Sequence, residues 1–185
     1  GVASTDYSSR FTVRGGESDE ILMTLDGMEL YEPFHQRDFV GGLFSIVDIE
    51  TIDGIDLMTG GFSAEYGDRQ SGVFGMRTKD AGDERRSSVG LSVMNARLYT
   101  SGPVSDGEGT YLLSARRGVL DKVKILSVVD GETTHYFQDA MGKLEVPLNS
   151  KHSLSGHVLL SGDKAEVRDI TEDAHDIHDT KYDNV

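Results

Sequence analysis

The sequence has no cysteine, which excludes a disulfide-stapled scaffold and a thiolate metal site. It has no run of about 18 apolar residues, so no transmembrane helix is encoded. That absence does not touch barrel strands, which are short and alternating. Positive charge is scarce: 18 Lys and Arg stand against 32 Asp and Glu, a net charge of -14. Such a balance repels nucleic-acid phosphates. No secretory leader is visible, because Gly1 to Arg10 is small, polar and charged. With no initial Met and an end at Asp183-Asn184-Val185, the 185 residues read as a fragment.

What is present falls into two textures. The first runs from Phe11 to Asp80 and is punctuated by glycine. Phe11 and Val13 alternate with Thr12 and Arg14 before the Gly15-Gly16 pair, which predicts a strand and its end. Ile21 to Leu25 is apolar enough for a strand buried on both faces. Asp26-Gly27 is a tight-turn dipeptide, and Met28 to Tyr31 returns as a short strand. Ile46, Ile49 and Ile52 share a helical face, with Asp48 and Glu50 near the start where the helix dipole favours acids. Gly54 breaks that helix, Ile55 to Met58 reads as a strand, and Val73 to Thr78 closes the unit. Gly1 to Arg10 is Ser/Thr-rich and little order is expected there.

The second texture follows a short charged linker, Ala81 to Arg86, and has period two. Val89, Leu91 and Val93 share one parity. From Met94 the phase flips to Met94, Ala96 and Leu98. A flip exchanges the two faces, so it marks a bulge or a tight hairpin. Tyr111, Leu113 and Ala115 then oppose Leu112, Ser114 and Arg116. In His135 to Leu148, Tyr136, Ala140, Leu144, Val146 and Leu148 oppose Phe137, Asp139, Met141, Lys143 and Glu145. His152 to Leu160 alternates in the same way. Ser101 to Thr110 and Pro147 to Lys151 read as turns, and Gly118 to Thr134 as a longer connector holding a helical turn. Gly162 to Asn184 is acid-rich and reads as a loop, with a return strand near Tyr182. His175 and His178 stand three apart within it, but no closing ligands follow at a recognised spacing, so no metal site is assigned.

Three phrases carry a family resemblance: F-T-V-R-G-G (Phe11 to Gly16), L-D-G-M-E-L-Y (Leu25 to Tyr31) and G-G-F-S-A-E-Y-G (Gly60 to Gly67). With Pro33 to Phe44, Ile52 to Met58 and the strand ending in Thr78-Lys79-Asp80, their order over about seventy residues resembles the plug domain of TonB-dependent outer-membrane receptors. The resemblance implies an α+β plug over residues 1–82. Residues 83–185 would follow as the first antiparallel strands of a transmembrane β-barrel, a partial barrel. It implies location in the bacterial outer membrane and import of a scarce nutrient (siderophore, vitamin, glycan or peptide). The partners implied are a TonB-type energy-coupling protein, whose contact segment lies upstream of this chain, and outer-membrane lipid. No cofactor and no bond chemistry are implied. At about 22 strands, most of such a barrel lies outside these residues.

The same resemblance makes Tyr31, Phe34, His35, Gln36 and Arg37 a candidate ligand-binding loop on the plug. In the bland alternative, Phe34, Phe39 and Phe44 anchor the loop and His35 is only hydrogen-bonded. Candidate plug-to-barrel contacts are Arg14, Glu65, Arg69, Arg116, Arg117 and Glu145, since a plug in a polar lumen needs releasable polar contacts. Exposed pairs of that kind carry little energy if they are merely solvated. Tyr99, Tyr111 and Tyr136 fall near strand ends, where aromatic girdles sit. A second reading is a soluble or surface β-rich ligand-binding module, since a sheet with one wet face alternates similarly. An enzyme reading would draw on Asp26, His35 and Ser45, but no nucleophile elbow or zinc motif supports it.

Overall fold

A computed structural model describes residues 2–5, 8–15, 20–35, 44–62, 66, 71–104, 109–119, 132–169 and 178–184. The chain divides into two units, Gly1–Asp80 and Ala81–Val185.

The first unit opens with a hairpin of β1 (Val2–Thr5) and β2 (Ser8–Val13). Order was not expected before Phe11. The Ser/Thr-rich segment is nonetheless ordered by the ladder, which pairs Val2 with Val13 and Ala3 with Thr12. The principal sheet is four-stranded, in the order β4-β3-β8-β7. Its strands are β3 (Ile21–Leu25), β4 (Met28–Glu29), β7 (Ile52–Met58) and β8 (Gly72–Thr78). All five residues of β3 are buried, as its unbroken apolar run requires, and β3 pairs parallel to β8. A small ladder joins β5 (Phe34–His35) to β6 (Phe44–Ser45).

The predicted helix over Ile46–Ile52 shrinks to one 3-10 turn, Ile49–Thr51. Asp48 is its cap, with Oδ1 accepting from the Glu50 amide at 3.1 Å. The Thr51 hydroxyl donates to the Asp48 carbonyl at 2.7 Å. The capped turn then runs directly into β7, which starts at Ile52 and continues through Gly54, with a register shift at Asp53 between them. Ile46 is buried while Ile49 is exposed, so no common apolar face forms.

Asp26-Gly27 forms the expected two-residue turn, with φ of 48° and 84° and Leu25 opposite Met28. Asp26 does more than turn the chain. Its Oδ1 accepts from the Thr78 amide at 2.9 Å, and its Oδ2 accepts from the Thr78 hydroxyl. The Asp26 amide donates to the Met76 carbonyl at 2.9 Å. One short side chain therefore ties the hairpin to the last residue of β8. Next along the chain, the Lys79 amide donates to the Thr51 carbonyl at 2.8 Å, and the Lys79 ammonium lies 3.5 Å from Glu50. Asp26→Ala is expected to destabilise the chain by about 1–3 kcal/mol, from lost charge-assisted bonds and a poorer left-handed residue. Asp26→Asn should lose about half of that, since Asn tolerates this backbone region and keeps one acceptor. Thermal unfolding of the three proteins checks the order.

The second unit is a six-stranded antiparallel meander in chain order. Its strands are β9 (Arg86–Leu91), β10 (Asn95–Pro103), β11 (Thr110–Gly118), β12 (Glu132–Asn149), β13 (His152–Asp169) and β14 (His178–Asn184). The phase flip near Val93 is a tight hairpin. The Ser92 hydroxyl oxygen accepts from the Met94 and Asn95 amides at 3.2 and 3.0 Å, and the Ser92 amide donates to the Asn95 carbonyl at 2.9 Å. A bulge is thereby excluded, and one extra strand precedes Ser101.

The acid-rich tail departs from expectation. Gly162 to Asp169 is not loop but the continuation of β13, paired with β12 from Gln138 to Glu132. β14 then pairs back on β13, with Tyr182 opposite Ala165. Ladder bonds belong to the backbone, so polar side chains do not prevent them. β12 and β13 each span 18 residues, about 60 Å at strand rise. The helical turn expected within Gly118 to Thr134 falls largely on residues 120–131, outside the described residues.

Candidate functional site

The register of the meander lines its side chains up in rows. On one face lie Val89, Leu98, Ala115, Ala140 and Leu160. Next along the strands come Ser87, Thr100, Leu113, Gly142 and Val158, and then Gly102, Tyr111, Leu144 and Gly156. On the other side of the first row stand Leu91, Ala96, Arg117, Gln138 and Gly162, and beyond them Tyr136 and Lys164. This face is apolar and open. Leu91 is 82% exposed, and Val89, Leu98, Leu113, Leu144, Leu148, Leu154, Val158 and Leu160 are all exposed. Tyr111 and Tyr136 belong to it. Leu144 stands opposite Tyr111 and is eight residues from Tyr136 on β12, about 26 Å along the strand. Each tyrosine carries an arginine. Arg85 lies 6.0 Å from the Tyr111 ring centre and Arg117 lies 5.3 Å from that of Tyr136. Tyr99 is not part of this set. It lies on the other face, buried, and donates its hydroxyl to Ser101 at 3.1 Å.

The opposite face is mixed and largely buried: Tyr99, Ser101, Leu112, Ser114, Phe137, Asp139 and Met141. At its centre Arg116 donates from Nε and Nη2 to Asp139 Oδ2 at 2.9 and 2.7 Å. The side chains are 9% and 3% exposed. The guanidinium also lies 5.3 Å from the Phe137 ring centre. Phe137 in turn covers Gly118, where a Cβ would stand 2.6 Å from the ring. Position 118 therefore accepts only glycine without rearrangement.

The candidate plug-to-barrel contacts sort accordingly. Arg116 and Arg117 are adjacent on a strand, so they point to opposite faces. Arg116 is engaged by Asp139 within its own sheet. Arg117 lies on the apolar face, with Ala96 and Gln138 as its register partners. Glu145 pairs with Lys143 at 3.8 Å. Arg14 is exposed, has φ of 54°, and lays its guanidinium over Gly60. Glu65 and Arg69 lie outside the described residues.

The candidate ligand loop also divides. Tyr31 is 84% exposed, whereas His35 is fully buried within the first unit. Phe34 is half-buried, and Gln36 and Arg37 lie outside the described residues. Of the enzyme reading's three residues, two have the following partners. The Asp26 carboxylate is bound to Thr78, and the Ser45 hydroxyl accepts from the Val47 amide at 3.1 Å. Among the described residues, no group of three or more His, Asp or Glu is placed to hold a metal ion, and no helix is long and apolar enough to cross a membrane. His175 lies outside the described residues, and His178 is in β14.

A small glycine-punctuated mixed sheet is followed in the chain by an antiparallel meander with one bare apolar face. Residues 1–73, nearly the whole of the first unit, match the family described as TonB-dependent Receptor Plug Domain, as a fragment of a TonB-dependent receptor would. That family comprises receptors and transporters of the outer membrane, not enzymes. No curated protein matches the chain.

Proposed function

We propose that the chain is the plug and first six barrel strands of an outer-membrane receptor that binds a scarce nutrient and imports it. Import would proceed by plug rearrangement, with energy from a TonB-type protein. The observation that carries the reading is the exposed apolar face of the meander. A water-soluble monomer rarely exposes a contiguous apolar patch above a few hundred Å². A barrel wall requires one, with the mixed face turned to the lumen. Two features support it further. With strands tilted by about 40°, the Tyr111 to Tyr136 interval becomes roughly 20 Å of height, close to the apolar band of such barrels. Arginine beside each tyrosine suits the interface, where long cationic side chains lay their stems on apolar surface and keep the charge wet.

An 18-residue strand also exceeds the 9–11 residues that a bilayer crossing needs. The polar ends of β12 and β13, with β14, would stand clear of the lipid. Nearest that end is the Ser92–Met94 turn. On this view Arg14 and Glu145 remain candidate plug-to-barrel contacts. The competing reading, a soluble β-rich binding module, does not account for the bare apolar face. Detergent dependence separates the two, since a soluble module stays monodisperse without it.

Tyr31 is the ligand contact we favour on the plug, as an exposed aromatic on the loop after β4. In cells carrying the whole reading frame, deletion is expected to abolish uptake of one nutrient from a panel. Tyr31→Ala should then weaken binding of that nutrient about tenfold while leaving the receptor in the outer membrane. Loss of one buried aromatic contact is of that size. Unchanged uptake across a broad panel after deletion would reject import.

A further inference from the structure

The β9–β10 hairpin ends in an apolar tip. Ser92 to Asn95 form the turn, and its central side chains are Val93, 69% exposed, and Met94, 41% exposed. A turn that meets water ordinarily carries Gly, Asn, Asp or Ser at its centre. Neither central residue has positive φ, so backbone geometry leaves the choice of side chain open. Ser87 to Ala96 contain no charged residue, although 27% of the chain is charged. The sequence segments after β11 and β13 differ, with Asp121, Lys122 and Lys124 in one and Glu172, Asp173 and Asp176 in the other.

The polar atoms of this turn are spent within the protein. The Ser92 hydroxyl accepts from the Met94 and Asn95 amides and donates to the Asn95 carbonyl at 3.1 Å, which fills its bonding capacity. The Ser92 amide donates to the same carbonyl, and the Met94 carbonyl accepts from the Val119 amide at 2.9 Å. Backbone groups bonded internally are what a segment needs in order to leave water. Behind the tip, exposed Val89 and Leu91 carry the apolar face up to the turn, while Arg97 lies across Gly90 on the other face.

We propose that the Ser92–Met94 tip lies in the interfacial layer of the bilayer, with lipid acyl chains as its partner. The inference rests on the barrel reading above. Val93 and Met94 continue the surface that Val89 and Leu91 give to lipid, so one medium covers all four. At this hairpin the wall then stops within the membrane, whereas β12 and β13 run on beyond it.

The test places single cysteines, absent from these 185 residues, in the full receptor in lipid nanodiscs, with any thiol elsewhere replaced. Val93→Cys and Met94→Cys probe the tip, Leu98→Cys the wall, and Lys151→Cys the exposed turn at the opposite end. Each carries a polarity-sensitive fluorophore. Lipids with a nitroxide near the headgroup quench from the bilayer, and iodide quenches from the buffer. Both tip labels should be quenched by the nitroxide lipid at least as strongly as the Leu98 label. Iodide should quench them about fivefold less than the Lys151 label, as for side chains about 5–10 Å inside the boundary. Iodide quenching equal to that at Lys151, with Leu98 protected, would overturn this inference alone. So would protection from iodide without quenching by the lipid, which is the signature of a covering protein segment. If the Leu98 label is also open to iodide, the barrel reading fails and this inference with it. Should Met94→Cys not fold, Val93→Cys decides the point.

Discussion

Replacing Arg116 by Ala is expected to cost about 3–5 kcal/mol of stability, the largest effect of any single substitution considered. The reason lies in what is left behind. Asp139 is 3% exposed, and Nε and Nη2 of Arg116 both meet its Oδ2. Without the arginine, a buried carboxylate loses its counter-charge, and breaking one side of a buried pair is far costlier than deleting both. Asp139→Ala should cost less than Arg116→Ala, because a long guanidinium can swing toward water and a short carboxylate cannot. The double variant should recover much of the loss, giving a coupling of about 1–3 kcal/mol. Denaturant unfolding of the four proteins closes the cycle. Additive losses would mean that the pair is solvated rather than buried.

Val158→Arg is expected to cost about 2–4 kcal/mol in a bilayer, the range for a cation at the midplane of a barrel's lipid face. Val158 is exposed and sits in the row between the two tyrosines, directly opposite Gly142, so the new side chain has room. Steric strain is therefore a poor explanation for any loss. On a soluble sheet the same exposed change would fall within about 0.5 kcal/mol, or improve solubility. Ser155→Arg, on the other parity, is the control. A lumen-facing charge is tolerated, so this variant should unfold like the parent. Unfolding from lipid vesicles, with both variants side by side, reads the difference. Equal behaviour of Val158→Arg and the parent would remove the membrane from the interpretation.

Local features were legible wherever one physical cause dominated. The Asp26-Gly27 turn follows from two residues that accept positive φ, and both have it. Burial of Ile21 to Leu25 follows from an apolar run with no polar face. Alternation in Leu112 to Gly118 and Phe137 to Leu148 assigned faces that the register repeats. Failures came where side-chain character and backbone pairing pointed different ways. Asp163 to Arg168 looked like loop because its side chains favour water, yet its backbone pairs with β12 regardless. Ile46, Ile49 and Ile52 had helical spacing, but the capped turn at Asp48 gave way to β7 after three residues. The flip at Val93 was compatible with two structures. Hydrogen bonds at Ser92 selected the hairpin.

The candidate residues show the same division. Nothing in Y-E-P-F-H-Q-R distinguishes an exposed Tyr31 from a buried His35, since both are aromatic residues in a polar loop. Pairing of β5 with β6 makes that distinction. By itself the sequence determined the plug phrases, the two-unit texture and the parity of the later strands, because turn chemistry and a period of two act over a few residues. Only the tertiary structure decided that Asp26 reaches Thr78, that Arg116 is held by Asp139 and that Arg117 stands opposite Gln138 on the apolar face. Those contacts join residues 21 to 52 positions apart, and the strand register that brings them together is set by the whole sheet.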